Sequence, residues 1–93
     1  EDHVSMATWG ARRLHDIADN VTAIVAIELL AAAQGVELRR PLKTSPTLEP
    51  VMAAIRKKAA FWDQDRAMAP DIEAVKGLIE RGIFREASGF SLF

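Results

Sequence analysis

The polarity pattern divides the chain into one long element and two short ones. From Val21 to Ala33 the only polar side chains are Thr22 and Glu28. A helix on a globular surface carries one apolar stripe and a polar back. This stretch lacks a polar back, so we expect a helix buried on most of its sides. It is too short for a membrane span, which takes ~20 apolar residues, and Glu28 sits inside it. The helical pattern extends back to the acidic start, Glu1-Asp2-His3, and forward to Gln34, predicting a helix over about residues 3–34. Asp2 can cap it, the early acids suit the positive end of its dipole, and Gly35 is placed to end it. Such a helix is ~48 Å long at 1.5 Å per residue, more than the width of a globule of this size, roughly 25 Å. It must protrude or pack against something outside the chain.

Residues 36–47 form a polar connector, broken by Pro41 and Pro46. Thr47 then reads as the cap of a second helix over about residues 48–62, with Pro50 in its first turn. Leu48, Val51, Met52, Ile55, Ala59 and Trp62 recur at helical spacing, and Arg56, Lys57 and Lys58 fall mostly off that stripe as a solvated face. Asp63 and Asp65 are read as its end. A third helix is expected over about residues 70–81. Pro70 opens it, Ile72, Val75, Leu78 and Ile79 form its stripe, Lys76 and Glu80 pair one turn apart, and Gly82 ends it. Residues 83–93 form an apolar tail with Phe84, Phe90, Leu92 and Phe93. No strand alternation and no repeat is present in the sequence. The fold class is all-α, a long helix plus two shorter amphipathic helices.

Composition narrows the functional classes. The net charge is −1 with both signs mixed along the chain, which gives no electrostatic reason to expect nucleic acid or an anionic membrane as partner. Cysteine is absent, so disulfide and thiolate chemistry are excluded, and a reducing, cytoplasmic setting is the expectation. Aromatic residues are few, so the core must come from aliphatics and alanine, whose small buried area favours a multi-helix assembly. The first residue is glutamate rather than methionine, and we expect a piece of a longer protein.

Motifs that carry chemistry are sparse. Asp63-Gln64-Asp65 opens like a calcium loop, but the sixth position is Met68 and the twelfth Ala74, where glycine and glutamate are needed. His3 and His15 lie too far apart on one helix to share a metal. We expect no metal site. Glu28, an acid in an apolar run, needs a hydrogen bond or ion pair between helices. Arg12 and Arg13 are expected to pair with acids of neighbouring helices, and Trp9 and Trp62 to serve packing.

Four segments, in order and in register, carry a resemblance. They are Glu-Asp-His-Val-Ser-Met at 1–6 with Ala-Arg-Arg-Leu at 11–14, Ala26 to Gly35, Arg40 to Ser45, and Asp65-Arg66 followed by Ala69 to Glu73. Together they make roughly three quarters of the chain similar to the C-terminal region of the histidine ammonia-lyase family. The resemblance implies an all-helical homotetramer around a central bundle of long helices, with active sites shared between subunits. It implies elimination of ammonia from L-histidine to give trans-urocanate, without a redox cofactor. The electrophile would be a methylidene-imidazolone group (MIO) made from an internal Ala-Ser-Gly that lies outside this chain.

By that resemblance Glu1 matches the family's active-site acid, placed to contact the imidazole or amine of the substrate. The competing reading of Glu1 is a helix-start acid serving the dipole. Ala87-Ser88-Gly89 spells the cofactor-forming tripeptide, but its context differs from the Gly-rich family loop and we read the match as coincidental. The chain has no tyrosine, and the family's upstream tyrosines, asparagine and arginine are missing. This piece is therefore expected to be inactive by itself. Two alternatives stand beside the reading. One is a lyase or aminomutase of the same superfamily acting on Phe or Tyr, against which the acid at Glu1 argues. The other is a non-catalytic helical oligomerisation module.

Overall fold

In the computed structural model, which describes residues 4–90, four helices follow one another. They are α1 (Ala7–Glu37), α2 (Glu49–Arg56), α3 (Ala69–Glu80) and α4 (Ile83–Ser88). No strand occurs among the described residues, as expected of an all-α chain. No helix there is long and apolar enough to cross a membrane.

Met6 holds the cap position of α1, with no side-chain cap bond. Ser5 Oγ accepts a hydrogen bond from the Ala7 N–H at 3.3 Å. Asp2, the expected cap, lies outside the described residues, as do Glu1 and His3. At its other end α1 does not stop at Gly35. Its glycines keep helical dihedrals, and the positive-φ glycines are Gly82 and Gly89. The helix continues to Glu37 because that carboxylate is held from two sides, by Arg40 and Arg56. Those contacts outweigh the ~1 kcal/mol helix penalty of a glycine. The chain then tightens through Leu38, whose N–H bonds the Gln34 carbonyl at 3.0 Å, and reaches a cis Arg40–Pro41 bond.

Helix α2 is capped differently from expectation and is shorter. Leu48, not Thr47, holds its cap position and no side chain caps the helix; in the turn just before it the Leu48 N–H donates to Ser45 Oγ at 3.3 Å, and Pro50 sits in the first turn. The helix ends at Arg56, whose guanidinium curls forward to the Ala59 carbonyl at 3.2 Å. Ala59 stays in the core, but Trp62, Asp63 and Asp65 lie in an extended segment rather than on the helix. Pro70 opens α3, and Gly82 at φ +70° closes it. Gly82 also starts α4, which folds the first half of the expected tail into a helix and packs Phe84 against the core.

The core is small and alanine-rich. Ala26, Leu30 and Ala33 of α1 meet Met52 and Ile55 of α2, Ala59, and Val75 of α3. Alanine at two of the three α1 positions lets α3 approach closely. A lysine fixes the register on the same face: Lys76 of α3 pairs with Asp19 of α1 rather than with Glu80. Beyond that contact, the first turns of α1 run free of the other helices, and residues 11–20 are all exposed. The molecule extends 68 × 36 × 18 Å.

Among the described residues the long helix is not buried on most sides. Val21, Ile24 and Ile27 remain 50%, 62% and 51% exposed. At about 100° per residue, Leu14, Ile17, Val21, Ile24 and Glu28 share one arc of about 80°. The buried Ala26, Leu30 and Ala33 lie on the opposite side.

Candidate functional site

Three polar braces hold the connector and the extended segment against the helices. In the first, Arg40 forks onto Glu49, with Nη1 to Oε1 at 3.0 Å and Nη2 to Oε2 at 3.1 Å. The Thr44 N–H adds a bond to Glu49 Oε1 at 2.9 Å. The side-chain hydrogen bond from Arg40 holds the Glu49 carboxyl below its usual range, and the same bond raises Arg40 above its own. Glu37 bridges this pair to Arg56, with Arg40 Nε at 3.8 Å and Arg56 Nε at 3.3 Å.

In the second brace, the Gln34 carboxamide lies against the Trp62 backbone. Its Nε2 donates to the Trp62 carbonyl at 2.9 Å, and its Oε1 accepts from the Trp62 N–H at 3.1 Å. A side chain thus supplies the partner a neighbouring strand would give. In the third, Arg66 clasps Asp71 at 2.9 and 3.1 Å and donates to the carbonyls of Ala60 and Phe61 at 2.8 and 3.3 Å. Asp71 therefore anchors a loop as well as favouring the dipole of α3.

These braces frame an apolar cleft of about 560 Å³ between α1 and the 56–72 segment. Ile27, Leu30, Leu38, Trp62, Met68 and Ile72 line it. Gln34, Arg56, Arg66 and Asp71 of the braces also line it. Arg56 Nη2 is the one buried side-chain polar atom without a partner among the described residues.

The sequence-marked candidates are scattered rather than assembled. Glu1, the expected substrate-contacting acid, lies outside the described residues. Glu28 is exposed on α1, and its side chain makes no hydrogen bond or ion pair among the described residues. Arg12 and Arg13 likewise contact no acid there; Arg13 instead lies 5.2 Å over the Trp9 ring. His15 is exposed. No group of three His, Asp or Glu side chains converges as a metal site among the described residues. What the described residues build is the set of braces that positions the helices.

Sequence reasoning missed the braces, though signals for them were present. Three of the four segments that carry the family resemblance supply them: Gln34 from the second, Arg40 and Thr44 from the third, and Arg66 and Asp71 from the fourth. Comparison with known proteins follows the same lines. The aromatic amino acid lyase family model matches residues 1–57. The chain belongs to the aromatic amino acid lyase family.

Among curated relatives, it is 62% identical to a histidine ammonia-lyase of Rhodospirillum rubrum and 57% identical to one of Desulfotalea psychrophila, each over 90% of this chain and 16% of the relative. A histidine ammonia-lyase of Burkholderia cenocepacia is 56% identical over 98% of this chain and 18% of its own length. The chain thus spans about a sixth of the length of the curated relatives it matches.

Proposed function

We propose that this chain is the C-terminal helical part of a histidine ammonia-lyase. The intact protein breaks the Cα–N bond and a Cβ–H bond of L-histidine, releasing ammonia and leaving the double bond of trans-urocanate. The observation that carries this reading is the similarity to histidine ammonia-lyases along nearly the whole chain, with the Glu-Asp-His-Val-Ser-Met opening in place. Cytoplasmic location fits the absence of cysteine.

The family's methylidene-imidazolone supplies an electrophile when present. The chain's own Ala87-Ser88-Gly89 does not fit its formation. Cyclisation needs the glycine nitrogen turned onto the alanine carbonyl. Here the Gly89 N–H points back to the Glu86 carbonyl at 3.2 Å, and Gly89 caps α4 at φ +64°. Ser88 Oγ is engaged with the Arg85 carbonyl and the Phe90 N–H, both at 3.3 Å. These are ordinary helix-end contacts, so the electrophile belongs to residues outside this chain.

Glu1 is the residue of this chain proposed to touch substrate. Its carboxylate holds the cationic amino group or imidazolium, or exchanges a proton with it. The exposed stripe of α1 is the face that a homo-oligomer, a tetramer in this reading, buries. Glu1→Gln and Ser88→Ala in the intact protein test both assignments. Glu1→Gln is expected to lower kcat by roughly 10²- to 10⁴-fold, and Ser88→Ala to leave turnover unchanged. Full activity of Glu1→Gln, or loss of activity in Ser88→Ala with the fold intact, would overturn the respective assignment.

A further inference from the structure

Residues 60–67, between α2 and α3, make no backbone–backbone hydrogen bond to any described residue. Phe61 is half-buried and the others are exposed. Side chains hold the segment instead. Gln34 of α1 takes both backbone groups of Trp62, at 2.9 and 3.1 Å. Arg66 works from inside the segment. It donates to the carbonyls of Ala60 and Phe61 at 2.8 and 3.3 Å, which closes the segment on itself as a small loop. Asp71 ties the same guanidinium to α3 at 2.9 Å. Both ends of the segment are fixed. Ala59 is buried with its carbonyl held by Arg56, and the Met68 carbonyl accepts from the Ile72 N–H at 2.9 Å. Helices α1 and α3 meet directly, Ala26, Leu30 and Ala33 against Val75 and Asp19 on Lys76, so their packing does not depend on the loop.

We propose that residues 60–67 form a strap that swings off α1 and α3 as one body, hinged at Ala59 and Met68, while the helices stay packed. Closed, the strap lays Ala60, Trp62 and Arg66 along the apolar cleft. Open, it leaves the helical wall of that cleft, Ile27, Leu38 and Ile72, without its facing side. Segments with few backbone bonds and little burial lie at the low end of local stability. Among the described residues only two hydrogen-bonded ties run from the strap to α1 and α3, Trp62 to Gln34 and Arg66 to Asp71. They are coupled, because Arg66 grips Ala60 and Phe61, the residues that lead into Trp62. Moving Trp62 off Gln34 therefore draws Arg66 away from Asp71. The Arg66 side chain is engaged in four hydrogen bonds when the strap is closed, and it is released only when the strap opens.

Limited digestion of the intact protein with trypsin reads the strap directly. Trypsin must draw an arginine side chain into its own pocket, and Arg66 is free for that only in the open state. When opening is fast relative to cutting, the initial rate at the Arg66–Ala67 bond follows the open population; mass spectrometry identifies the cut. The unmodified protein is expected to be cut there with a urea dependence much shallower than that of global unfolding, since opening exposes little surface. Gln34 makes no hydrogen bond to Arg66, yet Gln34→Ala is expected to speed this cut by about fivefold. Asp71→Asn is expected to speed it by about threefold, and the two together by about the product. The initial cut after Lys76, inside α3, is expected to stay unchanged in all of them. A Gln34→Ala protein with an unaltered Arg66 cut would show that the two ties act separately and would overturn the proposal. Cuts at Arg66 and Lys76 that rise together would mean global unfolding and overturn it as well. Should a variant not fold, the unmodified protein decides: no Arg66 cut below the unfolding transition, or one with the full urea dependence of unfolding, contradicts a strap that opens alone.

Discussion

Arg40 and Glu49 face each other as a fork on a carboxylate, 3.0 and 3.1 Å apart, across the turn that joins α1 to α2. Paired bonds of this geometry are directional, and this pair sets where the second helix starts. Glu49 has its carboxyl lowered, first by the Arg40 hydrogen bond. A carboxyl lowered in the folded state contributes stability that is present above its ordinary range and lost as pH falls through the folded value. The raised Arg40 stays charged at every working pH, so its own contribution is not lost there. We predict that thermal stability falls as pH drops below about 4 and that Glu49→Gln removes part of this acid loss. Melting curves across that range check it. An unchanged pH dependence in the variant would count against the brace.

Gln34 substitutes for a strand in holding Trp62. Gln34→Ala removes both bonds, and we expect a loss of about 1 kcal/mol, the usual net size for such solvent-accessible bonds. The more specific sign is local. The Trp62 amide should exchange with deuterium faster, while amides at the centre of α1 keep their protection.

Ile55 is 2% exposed at the junction of α1, α2 and α3. Ile55→Ala should cost about 3 kcal/mol through lost burial and the cavity left behind. Lys57→Ala, on the exposed side of the same stretch, should change stability by less than about 0.5 kcal/mol. Denaturant titration compares the two. Equal effects would mean the core lies elsewhere.

Two glycines predict opposite signs. Gly35 sits in a helix with open space around the site of a Cβ, so Gly35→Ala should stabilise by about 1 kcal/mol. Gly82 turns the chain at φ +70°, so Gly82→Ala should destabilise by about 1 kcal/mol despite equal room. A lowered denaturation midpoint for Gly35→Ala would contradict the assigned end of α1, and a raised one for Gly82→Ala would contradict the turn between α3 and α4.

That end of α1 shows what the sequence could reveal. The long helix, the prolines that open α2 and α3, and the apolar stripe of α3 follow from local rules that act within one turn. Gly35 misled because glycine ends a helix only when nothing beyond it holds the chain, and Glu37 is held by two arginines from other segments. The early stop of α2 comes with the same kind of contact. The Ala59 carbonyl is captured by Arg56, a contact no periodicity reveals. Thr47 was a reasonable cap by composition, but Ser45 stands where the chain turns. The candidate site was legible only through family resemblance, because the role proposed for Glu1 depends on groups that this chain does not contain.

The central claim is that the protein to which this chain belongs acts on L-histidine. It is tested most directly by following the full-length protein with L-histidine, L-phenylalanine and L-tyrosine in parallel. The account predicts ammonia release and growth of urocanate absorbance with L-histidine alone. Turnover of L-phenylalanine or L-tyrosine without urocanate, or no turnover of any amino acid by a folded, assembled protein, would contradict it.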